Sequence, residues 1–469
     1  MALNRALNRK LIVVSNRVPP SSDFESQGRG EAAAGGLVTA VRATMEQSGG
    51  LWFGWSGRST RRRVTTGPTV RVFGRIQLAT MDLSEDDVSL FYLGFANRTL
   101  WPLLHSFPMR VVIRHDTYRA YRRINLRFAQ ELLQYLGTDD LVWVQDFHLF
   151  HLGYELRRLG WRGKLGFFLH VPFPPAEIFS ILPWSRGTLE ALLHYDLIGL
   201  HDERYLSNLV DSMDFELGGE SNGNSYSYGG RSVRLGVFPI GIDPDTFRPG
   251  QERSTHSLAD ELALAAVPDR KLILGVDRLD YTKGIPHRLR IFERLLERHP
   301  NLGGKLIYIQ ISSPSRTRVP EYVQEREQVE RLVGQINGRF SEAGWVPIRY
   351  LYRSYAQSEL AGFYHDTDVC LVTPLRDGMN LVAKEFVAAQ DDESPGVLVL
   401  SRFTGAANTM KDAVIVNPYD IEGTAEATYR ALRMPISERR RRNRSLLSVV
   451  ERDSSQNWGE SFCAALQDI

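Results

Sequence analysis

Two short segments in the second half of the chain carry residue types suited to holding a diphosphate and a sugar. Gly275-Val-Asp-Arg-Leu-Asp-Tyr-Thr-Lys-Gly284 follows an apolar run and opens a helical pattern. It therefore presents Arg278 and Lys283 at the carboxyl end of a strand, beside a helix N-terminus. A guanidinium makes planar two-pronged contacts to phosphate, an ammonium acts as a mobile point charge, and a helix start adds backbone N–H donors. The segment suits a diphosphate clamp; taken alone, it suits two surface cations beside a loop equally well. Thr373-Pro-Leu-Arg-Asp-Gly-Met-Asn-Leu-Val-Ala-Lys-Glu385 also follows an apolar run. Asp377-Gly378 is turn chemistry, and Asn380 is expected to cap the helix that follows. The N–H groups of Met379, Asn380 and Leu381 would then face an anion or a sugar hydroxyl. Glu385, further along that helix, is placed either to accept from the two hydroxyls of a ribose or to be a plain surface charge.

The first half offers a second set. Leu11–Val14 runs into Ser15-Asn16-Arg17-Val18-Pro19, and a polar loop then leads to Ala34-Gly35-Gly36-Leu37. Paired glycines let a backbone approach a phosphate closely, or simply make a turn. No GxGxxG occurs, which argues against a nicotinamide dehydrogenase. Tyr92 and Trp101 flank Phe95-Ala96-Asn97, as walls for a sugar ring or as core packing. Asp146 and His170 each end an apolar strand, where ligands meet an open α/β sheet. A bare histidine there is commonly structural. His148 and His151 have no further ligand candidates nearby, so no metal is expected.

These groups need elements to position them. Short apolar or β-branched runs recur at Leu11–Val14, Leu141–Val144, Leu165–His170, Leu197–Leu200 and Val233–Pro239. They continue at Lys271–Val276, Lys305–Ile311, Ile348–Tyr352, Val369–Thr373, Val397–Leu400 and Ala413–Val416. Amphipathic stretches such as Pro286–Arg298, Glu321–Ile336 and Gln357–Tyr364 lie between them. Continuous apolar strands separated by helices predict α/β architecture: two doubly wound parallel sheets covered on both faces. The expected boundary follows a Gly- and Ser-rich loop, 218–230, and one more strand. It separates domain 1–241 from domain 242–454, with 455–469 crossing back onto the first. The default ligand site is then the cleft between the two.

The bulk composition agrees. The chain has 469 residues, 43% hydrophobic and 24% charged, with 57 Lys and Arg against 55 acidic residues. A net charge of +2 gives no reason to expect nucleic acid or an anionic membrane as partner. Two cysteines make no disulfide framework, and the run after Lys10 is too short for a signal-peptide core, so a cytoplasmic location is expected. The clusters Arg61–Arg63 and Arg439–Arg442 read as solvated faces, with an anion-sensing or subunit-contact role as the alternative.

Arg278-Leu-Asp-Tyr-Thr-Lys283-Gly and Arg376-Asp377-Gly-Met-Asn-Leu-Val-Ala-Lys-Glu385 resemble the donor-site motifs of the trehalose-6-phosphate synthases, retaining glycosyltransferases of the two-Rossmann GT-B fold. The resemblance runs from about Leu11 to the C-terminus and includes Gly49-Gly50-Leu-Trp-Phe-Gly-Trp-Ser-Gly57. It implies that Arg278 and Lys283 bind the diphosphate of a nucleotide-glucose, UDP-glucose foremost, and that Glu385 binds the ribose. Asp377 and the backbone of Met379 to Leu381 would hold the donor glucose, and the Gly35-Gly36 loop would close over the phosphates. On the acceptor side it implies Arg17, Tyr92, Trp101, Asp146 and Arg316 around glucose 6-phosphate, Arg316 from Ser312-Ser-Pro-Ser-Arg316. His170 would support positive charge developing at the donor's anomeric carbon.

No carboxylate is evident as a nucleophile of the kind that sits about 5 Å from its partner in retaining hydrolases. The resemblance implies front-face transfer, with the leaving diphosphate taking the acceptor's proton and no metal or other cofactor required. Family members are often homo-oligomers, and the same is expected here. Two rivals remain at this stage: another phosphorylated acceptor such as glycerol 3-phosphate, and a silent sugar-phosphate sensor. The sensor should have lost part of the donor set, yet Arg278, Lys283, Asp377 and Glu385 are all present.

Overall fold

The computed structural model describes residues 9–25, 36–61, 67–248 and 270–469. Gly35, most of the lid segment 21–31 and two members of the Arg61–Arg63 cluster lie outside them. The chain divides into two compact units. The described residues up to Ile240 join Ser455–Ile469 in the first, and Gly241–Ser454 form most of the second.

The first unit is built on a sheet whose seven central strands run parallel. In chain order these are β1 (Leu11–Arg17), β2 (Gly50–Thr60), β4 (Ile76–Ser84), β5 (Leu141–Gln145), β6 (Lys164–Phe168), β7 (Leu197–Leu200) and β10 (Arg231–Val237). Three antiparallel strands finish its edges: β3 (Thr69–Phe73), β8 (Glu220–Ser221) and β9 (Ser225–Tyr228). The order is β3-β4-β2-β1-β5-β6-β7-β10-β9-β8. The segment 218–230, expected as a loop, thus contains a hairpin. Central strands are apolar on both faces because helices cover both, and Ile12, Val13 and Val14 are fully buried. Those helices include α1 (Gly36–Ser48), α2 (His115–Leu133), α3 (Leu152–Arg158), α4 (Ser185–Leu192) and α5 (Glu203–Leu217). Between β4 and α2 runs a π-helix, Val88–Leu100, rare at this length and carrying Tyr92.

The second unit has six parallel strands in the order β13-β12-β11-β14-β15-β16. They are β11 (Lys271–Arg278), β12 (Leu306–Ser313), β13 (Ile348–Leu351), β14 (Val369–Val372), β15 (Val397–Ser401) and β16 (Val414–Val416). Its helices include α6 (Ile285–Arg298), α7 (Pro320–Phe340), α8 (Gln357–His365), α9 (Val382–Ala388), α10 (Ile421–Leu432) and α11 (Ile436–Arg452). On α11, Arg441 and Arg442 engage Asp412 and Glu438.

The next helix, α12 (Ser455–Gln467), packs on the first unit's sheet. Trp458 and Phe462 lie 4.7 Å from the Trp143 ring, Phe462 stacked on it. Gly166 and Gly199 admit the Phe462 ring, since a Cβ on either would sit 2.7 or 2.8 Å from it. Trp458, Phe462 and Leu466 are buried, each worth about 1.5–3 kcal/mol of apolar transfer.

Candidate active site

In the second unit the two motif segments leave adjacent strand ends and are tied together. β11 ends at Arg278, which is exposed, and Asp280 then folds the chain back. The Asp280 carboxylate accepts from the Thr282 N–H at 3.0 Å and the Thr282 hydroxyl at 2.9 Å, fixing a single 3-10 turn over Tyr281–Lys283. Gly284 closes that turn at φ 64°, a conformation that suits glycine, and α6 starts directly after it. The Thr282 carbonyl accepts from the Leu375 N–H at 2.8 Å, so the loop after β14 is pinned to the loop after β11. Beneath both, the fully buried Arg288 guanidinium pairs with Asp277 and donates to Thr373 at 2.9 Å and Gln310 at 3.1 Å. One side chain thereby joins the ends of β11, β12 and β14.

Lys283, only 8% exposed, places its ammonium on the Asp377 carboxylate. That carboxylate also accepts from the Gly378 N–H and the Asn380 amide, both at 2.9 Å. Asn380 is not the helix cap. The cap of α9 is Leu381, and Asn380 stands at φ 65°, in the left-handed region that asparagine tolerates better than most residues. That left-handed backbone is not the extended one a cap adopts: the amide nitrogen donates to Asp377, and the buried Oδ1, the atom a cap would use, meets no donor among the described residues. The main-chain N–H groups of Met379, Asn380 and Leu381 have no acceptor among the described residues. Three consecutive open donors beside an ammonium form a cradle for an anion or for sugar oxygens.

Glu385 lies on α9, where the Tyr364 hydroxyl donates to it at 2.9 Å. Burial pushes its carboxyl up to about 7, against the opposing pull of that hydrogen bond. Arg316 is turned inward: at φ 46°, it donates to Asp280 at 2.8 Å and contacts the Tyr322 hydroxyl. Burial would raise Asp280, but Arg316, Arg278 and the Thr282 N–H outweigh it and bring the carboxyl to about 2.

The first unit gathers its own set at the ends of β1, β5 and β6. Arg17 ends β1 with its guanidinium over Gly57. Asp146 follows β5 at φ 74°, and its carboxylate accepts from the His170 N–H at 3.2 Å. The His170 ring pairs Nε2 with the Gln145 amide oxygen at 2.8 Å. Phe168, His201 and Trp458 wall it in. Burial, then His201, hold this imidazole well below the ordinary histidine range, so it stays neutral. The Tyr92 ring is half-buried between Trp55 at 5.7 Å and His148 at 5.9 Å. Trp101 is 5% exposed and packs on His105 and Phe147, next in sequence to Asp146. Gly36 begins α1.

Sequence reasoning did not single out Gln145, Asp280 or Tyr364. Gln145 was the most readable of them, a polar residue closing the apolar run Leu141–Val144 and fully buried in the fold.

Against known proteins, the model of glycosyltransferase family 20 matches residues 9–468. The trehalose-6-phosphate synthase of Citrobacter koseri is 40% identical over 463 residues, 98% of this chain and 95% of that protein. The one from Sinorhizobium fredii is 40% identical over 455 residues, 97% of each chain. Among solved structures, the α,α-trehalose-phosphate synthase (UDP-forming) of Burkholderia xenovorans in complex with glucose 6-phosphate superposes with a TM-score of 0.91. It shares 40% identity and is matched over 98% of this chain and 100% of that one. A structure from E. coli bound with UDP-2-fluoro glucose gives 0.91 at 39% identity, over 98% and 99% of the two chains.

Proposed function

The chain belongs to glycosyltransferase family 20, and on that premise we propose that it moves glucose from UDP-glucose to glucose 6-phosphate. The products are α,α-trehalose 6-phosphate and UDP, formed with retention at the anomeric carbon. The observation that carries this reading is the Lys283–Asp377 pair, which joins the two donor motifs beside the open N–H groups of Met379, Asn380 and Leu381. In support, the curated relatives described above carry the name trehalose-6-phosphate synthase, and one similar structure holds glucose 6-phosphate and another UDP-2-fluoro glucose.

In this scheme the donor's diphosphate draws Lys283 from Asp377 and takes Arg278 as its second cation. Asp377, released, accepts from the glucose hydroxyls together with the 379–381 backbone, while Glu385 accepts from the ribose. The bond from the anomeric carbon to the diphosphate oxygen breaks and the acceptor hydroxyl attacks from the same face. Its proton passes to the departing phosphate oxygen. Once the donor has drawn them into place, cations held where charge accumulates lower that barrier with no further rearrangement. Neutral His170, its Nε2 proton directed at Gln145, adds no positive charge beside the developing oxocarbenium. On the family resemblance, acceptor binding is assigned to Arg17, Tyr92, Trp101 and Asp146 and, separately, to Arg316, and phosphate binding to Gly36 and to Gly35, which lies outside the described residues.

The reaction needs no metal or other cofactor, and we assign it to the cytoplasm and to a homo-oligomer. Among the described residues no helix is long and apolar enough to cross a membrane. Incubation with UDP-glucose and glucose 6-phosphate, followed by UDP release and product mass, tests the proposal. A disaccharide phosphate with the α,α linkage supports it. UDP binding without that product would send the search to another acceptor.

A further inference from the structure

A pocket of about 330 Å³ opens on the first unit between α2, α3, α4 and the β9–β10 turn, and none of the residues assigned to the transfer lines it. His151 forms its floor. This histidine is 1% exposed, and neither ring nitrogen has a hydrogen-bond partner among the described residues. Buried polar groups are nearly always paired, so an orphaned imidazole facing a pocket points to something that pairs it. Arg122 stands beside it with a buried, unpartnered Nε, and its remaining contacts to Tyr118 and Glu155 are long, 3.4 Å each. Arg231, on the pocket's far wall, is exposed and has no ion pair among the described residues. The carboxylates in reach are occupied: Glu190 by Arg186 at 3.1 Å, and Glu155 by Arg158 at 2.8 Å as well as Arg122. An aromatic edge completes the wall, with the Tyr154 and His194 rings T-shaped at 4.9 Å.

We propose that this pocket binds a phosphate group, free or carried on a sugar, through Arg122, His151 and Arg231, with Tyr154 and His194 against the remainder of the ligand. Two guanidiniums supply paired N–H donors that fit the oxygens of a phosphate better than a single carboxylate. The volume admits a hexose phosphate. Burial and then the nearby cations hold both histidines below their usual range. His151 therefore offers one N–H and one lone pair, which suits a phosphate oxygen and a sugar hydroxyl. Arg157, the other cation facing His194, is already engaged with Asp196. The site does not depend on the transfer reaction.

The test uses the full chain with ¹³C-labelled histidine, titrated with inorganic phosphate and, separately, with glucose 1-phosphate. Saturable shifts of the His151 and His194 ring signals are expected, weakened about tenfold in Arg231→Gln, the equivalent of one charge-assisted hydrogen bond. Arg231 is exposed, so that variant keeps the fold. Tighter binding of glucose 1-phosphate identifies a sugar phosphate as the ligand, and equal binding identifies the free ion. Ring signals that ignore both probes, or binding unchanged in Arg231→Gln, would overturn the proposal and leave the pocket to ordered water.

Discussion

The Arg316 guanidinium lies 2.8 Å from the Asp280 carboxylate, and the two side chains are 7% and 0% exposed. Asp280 also holds the turn that carries Lys283. A candidate acceptor-phosphate ligand is thus mechanically joined to the donor clamp. Arg316→Ala should cost about 3–5 kcal/mol in denaturant unfolding, because a buried carboxylate loses its partner. Arg316→Lys keeps a charge there but loses the planar fork. It should fold and show a raised KM for glucose 6-phosphate with kcat less affected. An unchanged KM in the lysine variant removes Arg316 from the acceptor site.

Lys283→Ala should lower kcat by roughly 10²–10³, as removal of one donor to developing oxyanion charge does elsewhere. The acceptor KM should move little. Turnover within a few-fold of wild type would refute the clamp assignment.

Glu385 has a definite pH signature. Its folded value of about 7 stands above the ordinary 4.5, so the folded chain holds a proton that the unfolded chain releases. The contribution is stabilising below 4.5 and is lost as pH rises through about 7. Wild type should therefore lose stability relative to Glu385→Gln across that window. Ribose hydroxyls donate more strongly to the ionised form, which accepts at both oxygens, so UDP should bind wild type more tightly at about pH 8 than at about pH 6. Calorimetry on both proteins checks this; matching pH slopes would take Glu385 off the ribose.

Neutral His170 predicts an absence. Rate profiles between about pH 5 and 8 should show no break from this imidazole, and its NMR signal should not titrate there. Gln145→Leu keeps the bulk but removes the acceptor that orients the ring. It should reduce kcat about tenfold with the donor KM little changed. A kcat equal to wild type in that variant would make the Gln145 contact merely structural.

The parts of this architecture legible in advance were those where one force dominates. Leu141–Val144 and Val369–Val372 are apolar on both faces because both faces are covered, and such runs announce themselves. β3 did not, since nearly all of Thr69–Phe73 is exposed and its pattern resembles a loop. β2 is interrupted by Gly54 and Gly57, and the π-helix at Val88–Leu100 has a helical composition that does not disclose its width. In the site, charged residues at strand ends were visible, but their pairing was not. Lys283 meets Asp377 across 94 residues of sequence, and Asn380, in a left-handed backbone conformation that a cap does not adopt, donates its amide to that same aspartate instead of capping the helix. Such partnerships depend on which strands are neighbours, which local patterning does not encode.

The docking of α12 has a consequence for how the chain is made. Ser455–Gln467 leaves the ribosome only after the whole of the second unit, yet it covers Trp143 and Phe168 of the first. Throughout translation of the intervening segment, that sheet carries an uncovered aromatic face and two bare glycines at Gly166 and Gly199. Assembly of the earlier unit is then completed by a later piece, so vectorial, domain-by-domain maturation is closed to it. A nascent chain stalled before Trp458 should be a client for chaperones.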